Sequence, residues 1–162
     1  MPRIDKHNYY LNIAEVVLER GSCLRRIFGA VIVNRDKVIS SGYNGAPRGR
    51  QNCIDRGVCM RQEFKVPSGE RYELCRSVHA ETNAVIHASH EETTGSSLYL
   101  VGKETKNNIY VNGTTPCSMC KRVIINAGIE TLITRIDKEN FIITKVCQWI
   151  ENDETLEEFR GY

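Results

Sequence analysis

The sequence contains no long hydrophobic segment. No stretch approaches the roughly 18 apolar residues that a membrane-spanning helix needs, and the first residues, from Met1 to Lys6, lack the apolar core of a signal peptide. Internal repeats and low-complexity segments are absent as well. These absences argue against a membrane protein and against a secreted one, so we expect a cytoplasmic protein without a membrane partner.

The chain also has little excess charge. Its formal net charge is +2, and its lysines and arginines are interspersed with acidic residues, so a broad basic surface for binding polynucleotides is not expected. A small anionic substrate is compatible with this charge. With 162 residues, 41% hydrophobic and 26% charged, the chain has the size and composition of one globular domain. We therefore predict a single domain over residues 1–162.

Hydrophobic periodicity alternates between helical and strand-like along the chain. Apolar residues at helical spacing predict helices at 10–18, 80–90 and 117–127, and a weakly helical tail at 146–159. β-rich runs predict strands at 28–33, 37–43, 97–101, 109–111, 131–136 and 141–144. This alternation indicates an α/β fold with a mixed sheet. Residues 44–78 show no regular period, and a bound metal or substrate would explain how so long a segment is ordered.

Seven cysteines need an explanation in a chain without a secretion signal. A reducing compartment keeps thiols free, which argues against disulfides. Buried inert thiols are one alternative, because free cysteine is among the most buried residue types. Metal binding is the other.

The Pro116-Cys117-Ser118-Met119-Cys120 segment favours metal binding. Composition alone would produce a Pro-Cys-x-x-Cys pattern in roughly one such chain in a hundred. Cysteines three residues apart on a helix project about 60° from each other, so both sulfurs can reach one ion. A helix N-terminus also lowers the pKa of a thiol, which favours the thiolates that zinc requires. The segment therefore predicts two zinc ligands, Cys117 and Cys120.

A third ligand is expected from one of the four histidines. Two of them begin a His-x-Glu pattern, His79-Ala80-Glu81 and His90-Glu91-Glu92. Residues two apart inside a helix point about 200° apart, so both can face one cavity only in the first turn. Placement at the start of a predicted helix favours His79 and Glu81.

Together these residues predict a zinc ion held by His79, Cys117 and Cys120, with water as the fourth ligand. Zinc with two thiolate ligands is a mild Lewis acid, so a nearby carboxylate is needed to take the proton of the water, and Glu81 suits that role. A closed zinc site that only joins two helices is the structural alternative. His-x-Glu combined with Pro-Cys-x-x-Cys is typical of nucleobase deaminases.

With these residues the chain resembles the deoxycytidylate deaminases of the cytidine deaminase superfamily over most of its length. Three sets of segments carry the resemblance: 28–32 with 41–47, 78–84, and 116–120 with 127–129. The zinc motifs are shared with cytidine, guanine and tRNA adenosine deaminases. The Gly-Tyr-Asn-Gly segment from Gly42 to Gly45 favours the deoxycytidylate branch. Asn44-Gly45 also has a plain interpretation as a turn after a strand.

The resemblance implies a three-layer α/β/α sandwich with a mixed five-stranded sheet, and a homo-oligomer, often a hexamer. It implies hydrolysis of dCMP to dUMP and ammonia, with zinc-bound hydroxide as nucleophile and Glu81 as proton shuttle. Asn44, Ala80 and Thr115 would contact the nucleotide. A 5′-phosphate requires a cation or helix-end amides, and the sequence leaves open which of the nearby arginines is involved: Arg25, Arg26, Arg48 or Arg50.

Four of the remaining cysteines suggest a second, structural zinc. Cys23 and Cys53 fall where some relatives carry ligands of such a site, and Cys59 and Cys75 could complete it. Four thiolates would help order residues 44–78, although four ordinary thiols remain the alternative. Cys147 is expected to be a plain core residue.

Other functions stay open at this stage. The interval between Val101 and Pro116 carries about ten residues more than the simpler family pattern, which leaves pocket shape and nucleotide preference undecided. A tRNA adenosine deaminase, or another nucleobase or nucleoside deaminase, is one alternative, although the former calls for a basic surface. A zinc-stapled module that binds nucleotides or scaffolds a partner, without catalysis, is the alternative outside enzymes.

Overall fold

A five-stranded mixed sheet forms the centre of the protein. The computed structural model describes residues 1–152 of the chain, and the strands lie in the order β2-β1-β3-β4-β5. They are β1 (Arg26–Asn34), β2 (Lys37–Tyr43), β3 (Ser97–Glu104), β4 (Thr131–Arg135) and β5 (Phe141–Lys145). β3 and β4 run parallel, and the other neighbouring pairs are antiparallel. The predicted mixed five-stranded sheet is therefore confirmed.

Helices cover both faces of this sheet. The helices within residues 1–152 are α1 (Lys6–Leu18), α2 (Cys53–Arg56), α3 (Met60–Glu63), α4 (Ala80–Ile86), α5 (His90–Thr93), α6 (Ser118–Asn126) and α7 (Cys147–Glu151), with a 3-10 turn at Tyr72–Leu74. Because successive strand residues point to opposite faces, Val31 and Val33 pack with α1 while Ala30 and Ile32 pack with α4 and α6. The result is a three-layer α/β/α arrangement.

Two glycines let helices approach the sheet closely. A Cβ atom at Gly29 would lie 2.1 Å from the Ala14 carbonyl oxygen of α1, and one at Gly42 would lie 2.3 Å from the Ala84 nitrogen of α4. No side chain fits at such distances, so glycine is required at both positions. Gly42 thereby sets the position of α4 against β2.

Several predicted element boundaries are wrong. Residues 109–111 make the single bridge between Lys103 and Tyr110, because the chain turns away from the sheet at residues 112–113. The helix predicted to run to His90 ends at Ile86, and Ser89 caps a separate helix, α5. The irregular segment 44–78 contains α2, α3 and the 3-10 turn.

The C-terminal predictions have mixed outcomes. α7 forms within the predicted tail, and positions 153–159 of that tail lie outside the described residues. Cys147 is exposed, so its prediction as a core residue is wrong: Trp149 occupies the buried face of this short helix instead. None of the helices within residues 1–152 combines the length and apolar character that crossing a bilayer requires.

Candidate metal centre

His79 and Glu81 lie at the start of α4. His79 is the N-cap residue, in extended conformation with φ of −72° and ψ of 155°, and Glu81 follows in the first helical turn. Ala80 and Ala84 bury the inner face of the helix in the core. The first turn is the one place in a helix where a His-x-Glu pair can face one cavity, and α4 places the pair there.

Cys117 and Cys120 lie at the start of α6 in the same way. Cys117 is the N-cap residue, and Cys120 is buried in the first turn, where the Lys121 amide donates to the Cys117 carbonyl over 2.9 Å. Because α6 packs against α4, the N-terminal ends of the two helices meet and bring the thiols to His79.

The three donor atoms have the spacing of a tetrahedral zinc site. His79 Nδ1 lies 3.5 Å from Cys117 Sγ and 3.3 Å from Cys120 Sγ. Tetrahedral zinc with ordinary bond lengths separates its nitrogen and sulfur ligands by roughly 3.5–3.8 Å. Within residues 1–152, this is the group of three or more histidine, cysteine or acidic side chains gathered closely enough to hold a metal ion. Both the chemistry of the donors and their spacing fit zinc.

The thiols and the imidazole perturb one another strongly. The hydrogen bond with Cys120 and the adjacent His79 lower the pKa of Cys117 to about 4. Burial alone would lower the pKa of His79, but its contacts with the Cys117 and Cys75 thiols raise that pKa to about 11. Cys117 is therefore ready to act as a thiolate, the form in which cysteine binds metals.

Glu81 is a buried carboxyl group beside these donors. Its exposed fraction is 6%, and this burial raises its pKa. A carboxyl group with a raised pKa in a cavity is suited to accepting and returning a proton near neutral pH. This environment is what the predicted role of Glu81 requires.

The donors face a cavity of about 120 Å³. The three predicted nucleotide contacts, Asn44, Ala80 and Thr115, line this cavity together with Glu81. The Asn44 side chain holds the start of β1, because its Oδ1 accepts from the Phe28 amide over 2.8 Å and its Nδ2 donates to a backbone carbonyl over 2.9 Å. One amide hydrogen and one lone pair of Asn44 remain for a ligand.

The structure divides the four candidate arginines into two pairs. Arg25 and Arg26 line the cavity that contains the zinc donors. Arg48 and Arg50 line a separate cavity of about 270 Å³ on the other side of the Gly-Tyr-Asn-Gly segment. Arg48 and Arg50 are therefore poorly placed to contact a ligand that also reaches Glu81.

The four further cysteines lie around the same cavity. Cys23, Cys59 and Cys75 line it, and Cys53 is buried nearby, where burial and the surrounding thiols raise its pKa. Across residues 1–152, however, their sulfurs do not form a cluster with metal-binding spacing like that of His79, Cys117 and Cys120. The second zinc stays a prediction.

Sequence reasoning missed two residues that shape this cavity. The Tyr72 ring meets the His79 ring edge-on, with 5.6 Å between ring centroids, and the Arg61 guanidinium lies 4.5 Å above the Tyr72 ring. Both residues belong to the irregular segment 44–78, whose lack of periodicity offered no signal for them. The cysteines around them were the available hint that this segment borders the site.

A family model and several known relatives place this sequence in the same protein family. Residues 4–136 match the model of the cytidine and deoxycytidylate deaminase zinc-binding region. A deoxycytidylate deaminase from Mycobacterium phage D29 is 33% identical over 138 residues, covering 82% of this chain and 96% of the relative. The Schizosaccharomyces pombe deoxycytidylate deaminase is 33% identical over 126 residues, covering 78% of this chain. This chain spans 35% of that longer relative.

Solved structures share the fold at low sequence identity. The dCMP deaminase of cyanophage S-TIM5, crystallised with dCMP and dUMP, has a TM-score of 0.57 and 19% identity, covering 98% of this chain and 96% of that one. Cytidine deaminase from Burkholderia pseudomallei has a TM-score of 0.56 and 18% identity, covering 90% and 95%. Identities this low support the fold and leave the substrate open.

Proposed function

This chain belongs to the cytidine and deoxycytidylate deaminase family, and on that premise we propose that it hydrolyses dCMP to dUMP and ammonia with zinc. The observation that carries the proposal is the meeting of His79, Cys117 and Cys120 beside the buried Glu81 in one cavity. Asn44, Ala80 and Thr115 on the cavity wall are the proposed nucleotide contacts.

In this proposal His79, Cys117 and Cys120 hold the catalytic zinc. The bound ion would lower the pKa of water and so supply the nucleophile at neutral pH. Glu81 takes a proton from the attacking water and gives one to N3 of the cytosine ring. It then takes the proton of the hydroxyl group now attached to C4 and gives it to the amino group as the C4–N bond breaks, which leaves the C4 carbonyl of dUMP. Water adds oxygen at C4 and ammonia leaves, so the reaction balances without a redox partner.

A phosphorylated substrate is supported by the charge of the cavity wall. Arg25, Arg26 and Arg61 line it, whereas Glu81 is the acidic residue among its lining side chains within residues 1–152. Guanidinium groups pair well with phosphate oxygens. The D29 phage relative, which this chain covers almost completely, is a deoxycytidylate deaminase and supports the same substrate.

The broader predictions accompany this function as proposals. We propose one domain over residues 1–162. We also propose a homo-oligomer, since the resemblance to deoxycytidylate deaminases implies one and often implies a hexamer. A second, structural zinc at Cys23, Cys53, Cys59 and Cys75 is proposed because three of these thiols line the cavity and the fourth is buried beside them. Deamination of another nucleobase or nucleoside, and non-catalytic nucleotide binding, are the outcomes that would displace the main proposal.

Purified protein loaded with zinc tests the proposal directly. We expect a decrease in the absorbance of dCMP, with slower or absent turnover of cytidine, guanine and an anticodon stem-loop. Glu81→Gln should lower kcat by about 10²–10⁴-fold while zinc content stays unchanged. Glu92→Gln is the matched control, because Glu92 is exposed on α5. Full activity of Glu81→Gln would reject the assigned role, and zinc binding without turnover of any substrate would favour the non-catalytic module.

A further inference from the structure

Cys120 differs from the other two zinc donors in its surroundings. His79 and Cys117 line the cavity, whereas the part of the wall formed by residues 1–152 does not include Cys120, whose exposed fraction is 1%. Neither water nor a ligand in the cavity therefore reaches its sulfur. A thiolate buried in this way needs hydrogen-bond donors from the protein, because a buried charge without partners is costly.

Thr82 supplies such a donor. Its hydroxyl oxygen lies 3.8 Å from Cys120 Sγ, a long contact that suits the large radius of sulfur. Thr82 follows His79 by three residues, so both side chains lie near the face of α4 that meets α6. The other side chains that hydrogen-bond to this sulfur are His79 and Cys117. As zinc ligands they have no proton left at Nδ1 or Sγ. The Thr82 hydroxyl is then the remaining side-chain donor within residues 1–152.

A threonine hydroxyl in a helix usually has a different partner. It tends to bond to the carbonyl three or four residues earlier, as Thr93 does with the His90 carbonyl over 3.1 Å in α5. The two carbonyls at these positions before Thr82 already accept from backbone amides, one of them from Gly45 on the neighbouring segment. The hydroxyl of Thr82 contacts the Cys120 sulfur instead.

We propose that Thr82 is a positioning residue of the metal centre, whose hydroxyl donates to the Cys120 thiolate and limits how much charge this sulfur gives to zinc. The inference rests on the proposed function, because it concerns the zinc that this function uses. A hydrogen bond holds negative charge on the sulfur, so the ion stays a stronger Lewis acid than two bare thiolates would allow. The same bond favours the thiolate over the thiol and so strengthens metal binding.

Zinc affinity tests the role of Thr82 without any substrate. Thr82→Val keeps the shape of the side chain and removes its hydroxyl, so zinc binding measured in competition with a chelator should weaken by about 10- to 100-fold. Thr82→Ser keeps the hydroxyl and should restore most of the affinity. Thr93→Val is the matched control, because it removes a buried hydroxyl from α5. It should leave zinc affinity unchanged.

Cobalt gives a spectroscopic signature that a merely structural role of Thr82 would not change. With Co²⁺ in place of zinc, the sulfur-to-cobalt charge-transfer band should move to longer wavelength in Thr82→Val, because a sulfur without its hydrogen bond gives up an electron more easily. Thr82→Ser should return the band to its wild-type position. Thr82→Ala, which also lacks the hydroxyl but is a better helix former, should repeat the shift.

Steady-state kinetics give a third measurement. Within residues 1–152 the cavity wall includes Ala80 and Glu81 but not Thr82, so Thr82 does not contact a substrate there. At saturating zinc, Thr82→Val should therefore lower kcat for dCMP by about 10-fold with little change in KM.

Two results would overturn the role of Thr82. One is wild-type zinc affinity and an unmoved cobalt band in Thr82→Val, and the other is an equal loss in Thr82→Val and Thr82→Ser, which would show that the hydroxyl is not responsible. The failure of the proposed function would look different: the wild-type protein would bind zinc without deaminating dCMP, while Thr82→Val still weakened binding and moved the band. If the wild-type protein deaminates dCMP and Thr82→Val keeps the affinity and the band, the proposed function stands and the assignment of Thr82 falls.

Discussion

Two His-x-Glu segments lie eleven residues apart in this chain, and their surroundings are opposite. Each begins a helix, since His79 caps α4 and His90 is the first residue of α5. His79 meets the thiols of α6 within 3.5 Å, whereas His90 is exposed. The same three-residue pattern at a helix start therefore makes a candidate metal site in one place and a surface turn in the other.

The two glutamates differ in the same way. Burial raises the pKa of Glu81. Hydrogen bonds from Ser89 lower the pKa of Glu92, whose carboxylate accepts from the Ser89 amide and hydroxyl over 2.9 Å each. Glu92 is thus already used in a capping box, while Glu81 is held in a form suited to proton transfer. The surroundings therefore decide whether a His-x-Glu pattern forms a candidate metal site: α4 packs against α6, whereas the side chains of His90 and Glu92 on α5 face solvent.

The largest expected effect comes from matched changes in the two histidines. His79→Asn should remove one zinc per chain and lower kcat by about 10³-fold or more, because a zinc site deprived of a ligand loses both metal and nucleophile. His90→Asn should keep zinc content and kcat at wild-type values. Metal analysis and dCMP turnover on both variants measure this, and loss of zinc in His90→Asn would reverse the assignment of the two segments.

Much of the metal centre could be predicted from sequence because its ligands lie at helix starts. Cys117 and Cys120 belong to one helix, where a spacing of three residues determines their separation. His79 could be preferred over His90 because apolar residues after it predict a buried helix. The mixed sheet followed from the alternation of periods. Each of these inferences depends on regular local geometry.

The remainder of the site depends on long-range packing and could not be predicted. Arg61 and Tyr72 reach the cavity from an irregular segment, where no period says which way a side chain points. Arg25 directly precedes β1 and Arg48 follows β2, so both flank the same end of this antiparallel hairpin. They nevertheless line different cavities, a difference that the sequence pattern does not show. Cys147 was expected in the core, but the five-residue helix α7 buries Trp149 in its place.

The irregular segment 44–78 gives a second test of the comparison between the two helix starts. A zinc site in this segment would form without a regular helix to position its ligands. We expect two zinc ions per wild-type chain and one in Cys53→Ser. At a free zinc concentration a thousand times the Kd of the second site, loss of that site lowers the free energy of unfolding by about 4 kcal/mol. This change lowers Tm by about 10 °C. Catalysis should fall less than in His79→Asn.

Cys147→Ser is the matched control for this prediction. Its thiol is exposed, and surface substitutions usually change stability by less than about 0.5 kcal/mol. Calorimetry and metal analysis on both cysteine variants give the comparison. One zinc per wild-type chain, together with an unchanged Tm in Cys53→Ser, would contradict the second zinc site. The four thiols would then be ordinary cysteines, and the zinc would bind at the starts of α4 and α6.

The smallest effect is expected at the capping box of the surface segment. The Glu92 amide donates to Ser89 Oγ over 3.3 Å, so Ser89→Ala should lower the free energy of unfolding by about 1 kcal/mol.

Glu92→Gln keeps the shape of the capping box and removes its charge. The lowered pKa of Glu92 means that its charge stabilises the folded state above the unfolded value, near 4.5, and that this gain is lost as pH falls through the folded pKa. Thermal unfolding should therefore separate wild type from Glu92→Gln at pH 7 and bring them together in acid. If Glu92→Gln instead unfolded at a higher temperature than wild type at pH 7, with the gap closing in acid, Glu92 would act like the buried Glu81.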